Sequence, residues 1–220
     1  MLRWLQSGHA REATRGVAAT SAHEQTCPGM ARALKRILSK REQPEVLDLG
    51  QFSRSAAVYL AQRGARVYVE NFEAPPPSPK RRKANGDKRV SEPKKPLVIP
   101  QPDRKFDLVL AWEHGDFVPP DRLKDFAAEI ARVLVPGGWL LLYAKDNPGA
   151  GGNHTDPPAC YRLLGDDRFV RSSTTAPARR RWTHPNRAIE RALAPLAVQS
   201  IHLQRNRIRE FLVRKPDADA

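Results

Sequence analysis

Three polar residues, Glu113, His114 and Asp116, follow directly on the apolar run FDLVLAW at 106–112. A histidine beside carboxylates can act as a general base, taking a proton from a hydroxyl or an amine. His114 is therefore the candidate catalytic residue, although a single histidine near a strand end is more often structural. A second group lies where shorter apolar runs stop. Asp48, Leu49 and Gly50 close PEVLDLG, and Glu70 closes RVYVE. Glycine brings no Cβ and tolerates positive φ, so a loop built on it lets backbone approach a ligand closely. Phe52 and Arg54 put a ring and a long cation into the same loop. Arginine is dense from 179 to 215, with Trp182, His184 and His202 interleaved. That composition suits phosphate binding, and equally suits basic decoration of a solvent-facing helix and hairpin.

These residues need elements to hold them. Met30, Leu34, Ile37 and Leu38 recur at helical spacing, so a helix is predicted over 30–40. A short strand at 45–50 follows, then a helix capped by Ser53 with Ala57, Leu60 and Ala61 on its apolar face, ended by Gly64. A strand at 65–70 completes a βαβ unit, which implies a parallel sheet with a right-handed crossover. FDLVLAW reads as a strand buried on both faces. Leu123, Phe126, Ala127, Ile130, Val133 and Leu134 form the stripe of an amphipathic helix, stopped by Pro136-Gly137-Gly138. Another buried strand follows at 139–144. Residues 146–158 read as loop, and 161–171 fit neither period clearly. Pro185 opens a helix with Ile189, Ala192 and Leu193 inward. Residues 197–203 and 209–213 alternate as a closing hairpin.

Taken in order, FDLVLAW, an amphipathic helix and ARVLVPGGWLLL resemble the class I S-adenosylmethionine-dependent methyltransferases, in particular small-molecule enzymes with an Arg-Val-Leu-x-Pro-Gly-Gly turn. PEVLDLG resembles that family's first strand and cofactor loop. The resemblance covers about 44–73 and 105–145 and, more loosely, 185–215. It implies an α/β fold: a three-layer Rossmann-like sheet, mostly parallel, with a C-terminal antiparallel hairpin. It implies S-adenosylmethionine as cofactor and, if the chain is active, methyl transfer to an O or N acceptor on a small molecule. By residue, it places Asp48 and Gly50 against the methionine part of the cofactor. Glu70 would accept hydrogen bonds from the ribose hydroxyls, and the Trp112 ring would line the cleft. Phe52 and Arg54 stand where the family's loop has its second and third glycines. Weakened or lost cofactor binding is therefore expected, with a non-catalytic scaffold and a basic nucleic-acid-associated protein as rival functions.

Composition bounds the rest. The 220 residues suffice for one domain, but 20 prolines and a hydrophobic share of 40% point to unpacked segments. The expected organisation is a flexible tail at 1–29, a domain at 30–215 and a short tail at 216–220. Within the domain, the stretch 74–96 (APPPSPKRRKANGDKRVSEPKKP) is expected as a basic, disordered insertion. It stands where a further helix and the third strand would run, leaving that strand short at 97–99 or absent. Cys27 and Cys160, without a CxxC, exclude a disulfide framework or zinc site and fit a cytoplasmic chain. No apolar run is long enough to span a membrane. The net charge of +14 favours polyanionic partners, nucleic acid among them, without choosing one.

Overall fold

The computed structural model describes residues 23–50, 53–70, 72, 96–146, 154–194, 196–204 and 207–218. In chain order the elements are β1 (His23–Thr26), α1 (Pro28–Leu38), β2 (Glu45–Asp48), α2 (Arg54–Ala61), β3 (Arg66–Val69) and β4 (Phe106–Trp112). They continue with α3 (Leu123–Val133), β5 (Leu134–Lys145), β6 (His154–Asp156), β7 (Ala159–Leu163), β8 (Arg168–Ser173) and β9 (Arg179–Arg181). The chain closes with α4 (Asn186–Leu193), β10 (Ala197–Leu203) and β11 (Ile208–Arg214). Phe52, most of the basic stretch 74–96 and residues 1–22 of the expected tail lie outside the described residues.

The main sheet runs β10-β11-β5-β4-β2-β3. β3, β2, β4 and β5 are parallel, and β11 and β10 complete the sheet antiparallel. This is the expected α/β architecture with its terminal hairpin. Every residue of β4 is buried, as its near-continuous apolar run leads one to expect. One core packs α3 and α4 against the sheet through Phe126, Ile130, Leu140, Ile189 and Phe211. The opposite core joins α1 and α2 to the other face through Met30, Leu34, Leu60, Leu141 and Leu212. The three layers follow from this two-sided burial.

Several local expectations hold. Ser53 caps α2, its hydroxyl accepting the Ala56 N–H, and Gly64 leaves the helix with φ 84°. Among the described residues, 97–99 form no strand. Ile99 is buried, but its N–H is taken by Glu129 Oε2 at 2.9 Å and its carbonyl by Arg132 Nη2 at 2.7 Å. Side chains of α3 thus satisfy the backbone that would otherwise have paired with β3.

Other expectations need correction. Residues 23–29, expected as tail, form β1 and the first turn of α1. β1 pairs with β8, and the Gly29 N–H donates to the buried Glu210 carboxylate at 2.6 Å. Pro216 and Asp217 are likewise tied down: Gly137 N donates to Pro216 O, and Asp217 pairs with Arg214. The undetermined stretch 161–171 supplies β7 and β8, which form a small antiparallel sheet with β1. The segment expected as loop at 146–158 includes β6, paired with β9. Pro136-Gly137-Gly138 ends α3 as expected but sits inside β5. It bulges between the pairs Phe106–Leu134 and Leu108–Trp139, with Gly137 at φ 74°.

Candidate functional site

The carboxyl ends of β2, β3 and β4 face one crevice, the expected ligand position in an open α/β sheet. Asp48 ends β2 and is almost fully buried. Its Oδ1 accepts the Gly50 N–H at 2.8 Å and the Trp112 indole N–H at 2.7 Å. Burial pushes this carboxyl up to about 6, against the pull of the two donors. Glu70 joins the same strand ends through its N–H, which donates to Asp48 O at 2.9 Å, and its Oε1 accepts from Gln101 Nε2 at 2.5 Å. Asp48, Gly50, Glu70 and Trp112 are thus brought to one place, as expected.

What Trp112 does there is unexpected. Its indole lies on the glycine itself. A Cβ added to Gly50 would meet Trp112 Cδ1 at 2.8 Å. The indole is stacked on Tyr161 of β7, with centroids 4.3 Å apart and planes 6° from parallel. Beside it, the Cys160 thiol reaches Ser53 at the head of α2. β7 therefore packs over Trp112 and the head of α2. Trp112 holds φ 42°, a left-handed conformation that costs a bulky residue about 1–3 kcal/mol and persists only when its surroundings enforce it. The Asp48 hydrogen bond and the Tyr161 stack supply that enforcement.

Glu113, His114 and Asp116 do not form a general-base group. Glu113 turns towards the small sheet. Its carboxylate accepts from Tyr161 Oη at 2.5 Å, from Arg171 at 2.5 and 3.0 Å, and from Arg181. Burial alone would raise its pKa, but the two guanidiniums outweigh it and hold the carboxyl down at about 2. Asp116 accepts from Arg181 at 2.7 Å and from the Lys145 N–H at 2.8 Å; burial dominates here, and its carboxyl sits at about 6. His114 goes the other way, against the rings of Phe72 and Phe117. Burial, with Arg179 nearby, lowers its pKa to about 4, so it is neutral at pH 7 and a weak base. Arg54, the cation of the cofactor loop, is exposed at the first position of α2.

Residues 47–142 match the methyltransferase domain family. The matched range spans β2 to the middle of β5. Among solved structures, an S-adenosylmethionine-dependent methyltransferase from Methanosarcina mazei is similar at 15% identity and TM-score 0.49, over 80% of this chain and 94% of that one. A 1,6-didemethyltoxoflavin-N1-methyltransferase from Burkholderia thailandensis, with bound 1,6-didemethyltoxoflavin and S-adenosylhomocysteine, is similar at 16% identity and TM-score 0.45, over 86% and 79%. A methyltransferase from Mesorhizobium loti is similar at 13% identity and TM-score 0.49, over 85% and 98%. No curated protein matches the chain in sequence.

Tyr161, Arg171 and Arg181, which engage Trp112, Glu113 and Asp116, all lie beyond the matched range. One signal for them was present in the sequence. Two carboxylates directly after a largely apolar strand end up buried, and buried carboxylates need cations. The arginine-dense stretch at 179–181 was the available source. Among the described residues, no group of three or more His, Cys, Asp and Glu side chains could hold a metal. No helix among them is long and apolar enough to cross a membrane.

Proposed function

We propose that the chain is a methyltransferase-fold protein in which S-adenosylmethionine binding is weakened or lost, and that it works as a non-catalytic module. One observation carries this reading: the Trp112 indole lies on Gly50, tied to Asp48 and stacked under Tyr161. The family resemblance puts the methionine part of the cofactor against that glycine. An indole within 3 Å of the glycine's Cβ position crowds that approach, which supports weakened binding. The Asp48 hydrogen bond and the Tyr161 stack hold the indole in that position, which supports the same reading. Glu70 remains at its strand end, with one carboxylate oxygen engaged by Gln101.

A second reading is favoured by the strain at Trp112. A bulky residue at positive φ can be a displaceable plug, moving aside when cofactor arrives and leaving a live methyltransferase with an O or N acceptor. Calorimetry with S-adenosylhomocysteine separates the two. The non-catalytic reading expects no saturable heat from the unmodified chain. It expects measurable binding from Trp112→Gly, which removes the indole at a backbone position that suits glycine. Native-state binding at 100 times Kd would add about 2.7 kcal/mol of stability, so a thermal scan reads the same result independently. Tight binding by the unmodified chain, abolished by Glu70→Ala, overturns the proposal in favour of the plug.

A further inference from the structure

A second concavity lies at the opposite end of the parallel strands. It is a cleft of about 380 Å³ between the end of α1, the Pro136-Gly137-Gly138 bulge and the end of β11. Four cations line it, Arg36, Lys40, Arg41 and Arg214, against two carboxylates, Asp107 and Asp217. Each carboxylate fixes one guanidinium. Asp107 Oδ1 takes Arg41 Nε at 2.9 Å while its Oδ2 accepts the Glu45 N–H at 2.9 Å. Asp217 holds Arg214 Nη2 at 2.8 and 3.0 Å. Gly137 makes the second pair possible, since a Cβ there would stand 2.5 Å from Asp217 Oδ1.

Arg36 and Lys40 are different. They sit four residues apart, one helical turn, both exposed. Among the described residues, neither side chain meets a carboxylate. Fixed guanidiniums on two walls retain N–H donors beyond those their carboxylates use, because a guanidinium carries five. Arg36 and Lys40, exposed and without a carboxylate partner among the described residues, complete the set. A recess of this size holds a small molecule rather than a macromolecular surface. The carbonyl end of the α1 dipole also faces this region and disfavours an anion by about 0.3–1 kcal/mol. Its last carbonyls, at Lys35 and Ile37, are already taken by the N–H groups of Ser39, Lys40 and Arg41. One charge-assisted hydrogen bond, at about 1.5–3 kcal/mol, exceeds that opposition.

We infer that this cleft is a binding site for a small phosphorylated anion, one carrying two or more phosphate groups. Arg36 and Lys40 close on the charge while Arg41 and Arg214 orient it. The site is independent of the crevice at the other end of the sheet and stands whether or not cofactor binds there.

The test is calorimetry of the full chain with pyrophosphate at about physiological salt, where diffuse attraction to an exposed basic surface is largely screened. One saturable site is expected. Arg36→Ala and Lys40→Ala should each weaken it about tenfold or more, the loss of one charge-assisted contact. Lys124→Ala and Arg187→Ala, which remove exposed cations from α3 and α4, should leave it unchanged. All four positions are exposed, so folding is not at stake. Three outcomes overturn the inference: no saturable binding, equal weakening by all four variants, or a single-stranded oligonucleotide that binds far more tightly than pyrophosphate through Arg36 and Lys40. The last would assign the surface to nucleic acid.

Discussion

Asp48 should make the protein less stable as the pH rises, and Asp48→Asn should remove the effect. The carboxyl is buried beneath Trp112, and its pKa stands at about 6 against an ordinary 3.8. Its folded-state pKa is raised, so the folded protein holds this proton where the unfolded chain has released it. Stability from this group is complete below about pH 4 and is lost as the pH climbs through 6. The difference between 3.8 and about 6 corresponds to about 3 kcal/mol at pH 7 and above. Asparagine keeps an oxygen for the Gly50 and Trp112 N–H groups but must bury an NH₂, which costs about 1 kcal/mol. The net expectation is that the variant is more stable by about 2 kcal/mol at pH 8 and no more stable at pH 4. For a chain of this length that is a rise in Tm of roughly 4 to 8 °C at the higher pH. Urea unfolding of both proteins from pH 4 to 8 measures it. Asp116 and Glu113 also titrate away from their ordinary values, but they are common to both proteins and cancel in the difference. A gap independent of pH, or a variant less stable at pH 8, would show that the Asp48 carboxylate is comfortable where it lies, and the picture of a sealed strand end would fall.

Arg181→Met should be severe. It leaves Asp116 without a side-chain partner and Glu113 with one guanidinium instead of two, at a cost of about 3–5 kcal/mol by denaturant unfolding, whereas a loss under about 1 kcal/mol would mean water reaches both carboxylates. The His114 imidazole should stay neutral down to about pH 5 in NMR titration; because its folded pKa is depressed to about 4, stability falls as the pH drops from 6.5 towards 4, and a midpoint above 6 would show the ring is solvated. Gly137→Ala should cost about 1–2 kcal/mol from its φ of 74° alone, more if Asp217 cannot shift, and an unchanged Tm would mean the bulge relaxes.

The sequence made the frame legible because its signals are local. FDLVLAW becomes a strand at the boundaries its apolar run suggests, and the stripe from Leu123 to Val133 becomes α3. Strand ends then follow from strands, which is why Asp48, Gly50, Glu70 and Trp112 converge as expected. The crevice contents were not legible, because they depend on pairings far apart in the chain. Arg181 meets Asp116 and Glu113 across 65 and 68 residues, and no spacing rule connects them. Glu113 and His114 are neighbours in sequence and suggested a working pair. Successive residues leaving a strand point to opposite sides, and one went to the arginines while the other went to Phe72. The stretch 161–171 hid two strands because each is short and carries arginine among its apolar residues.

The hydrogen bond from Gly29 to Glu210 has a consequence for how the protein is made. Its two ends are 181 residues apart. β11, which carries Glu210, is also the strand between β5 and β10 and covers Met30 and Leu34 of α1 through Leu212. At translation rates of 5–20 residues per second, roughly 10 to 40 s separate synthesis of the helix from that of its acceptor. Throughout that interval α1 lacks β11, one of the strands it packs against, and the sheet's antiparallel edge does not exist. The nascent chain therefore emerges with a helix whose cover is incomplete, shielded or at risk of association until β11 leaves the ribosome.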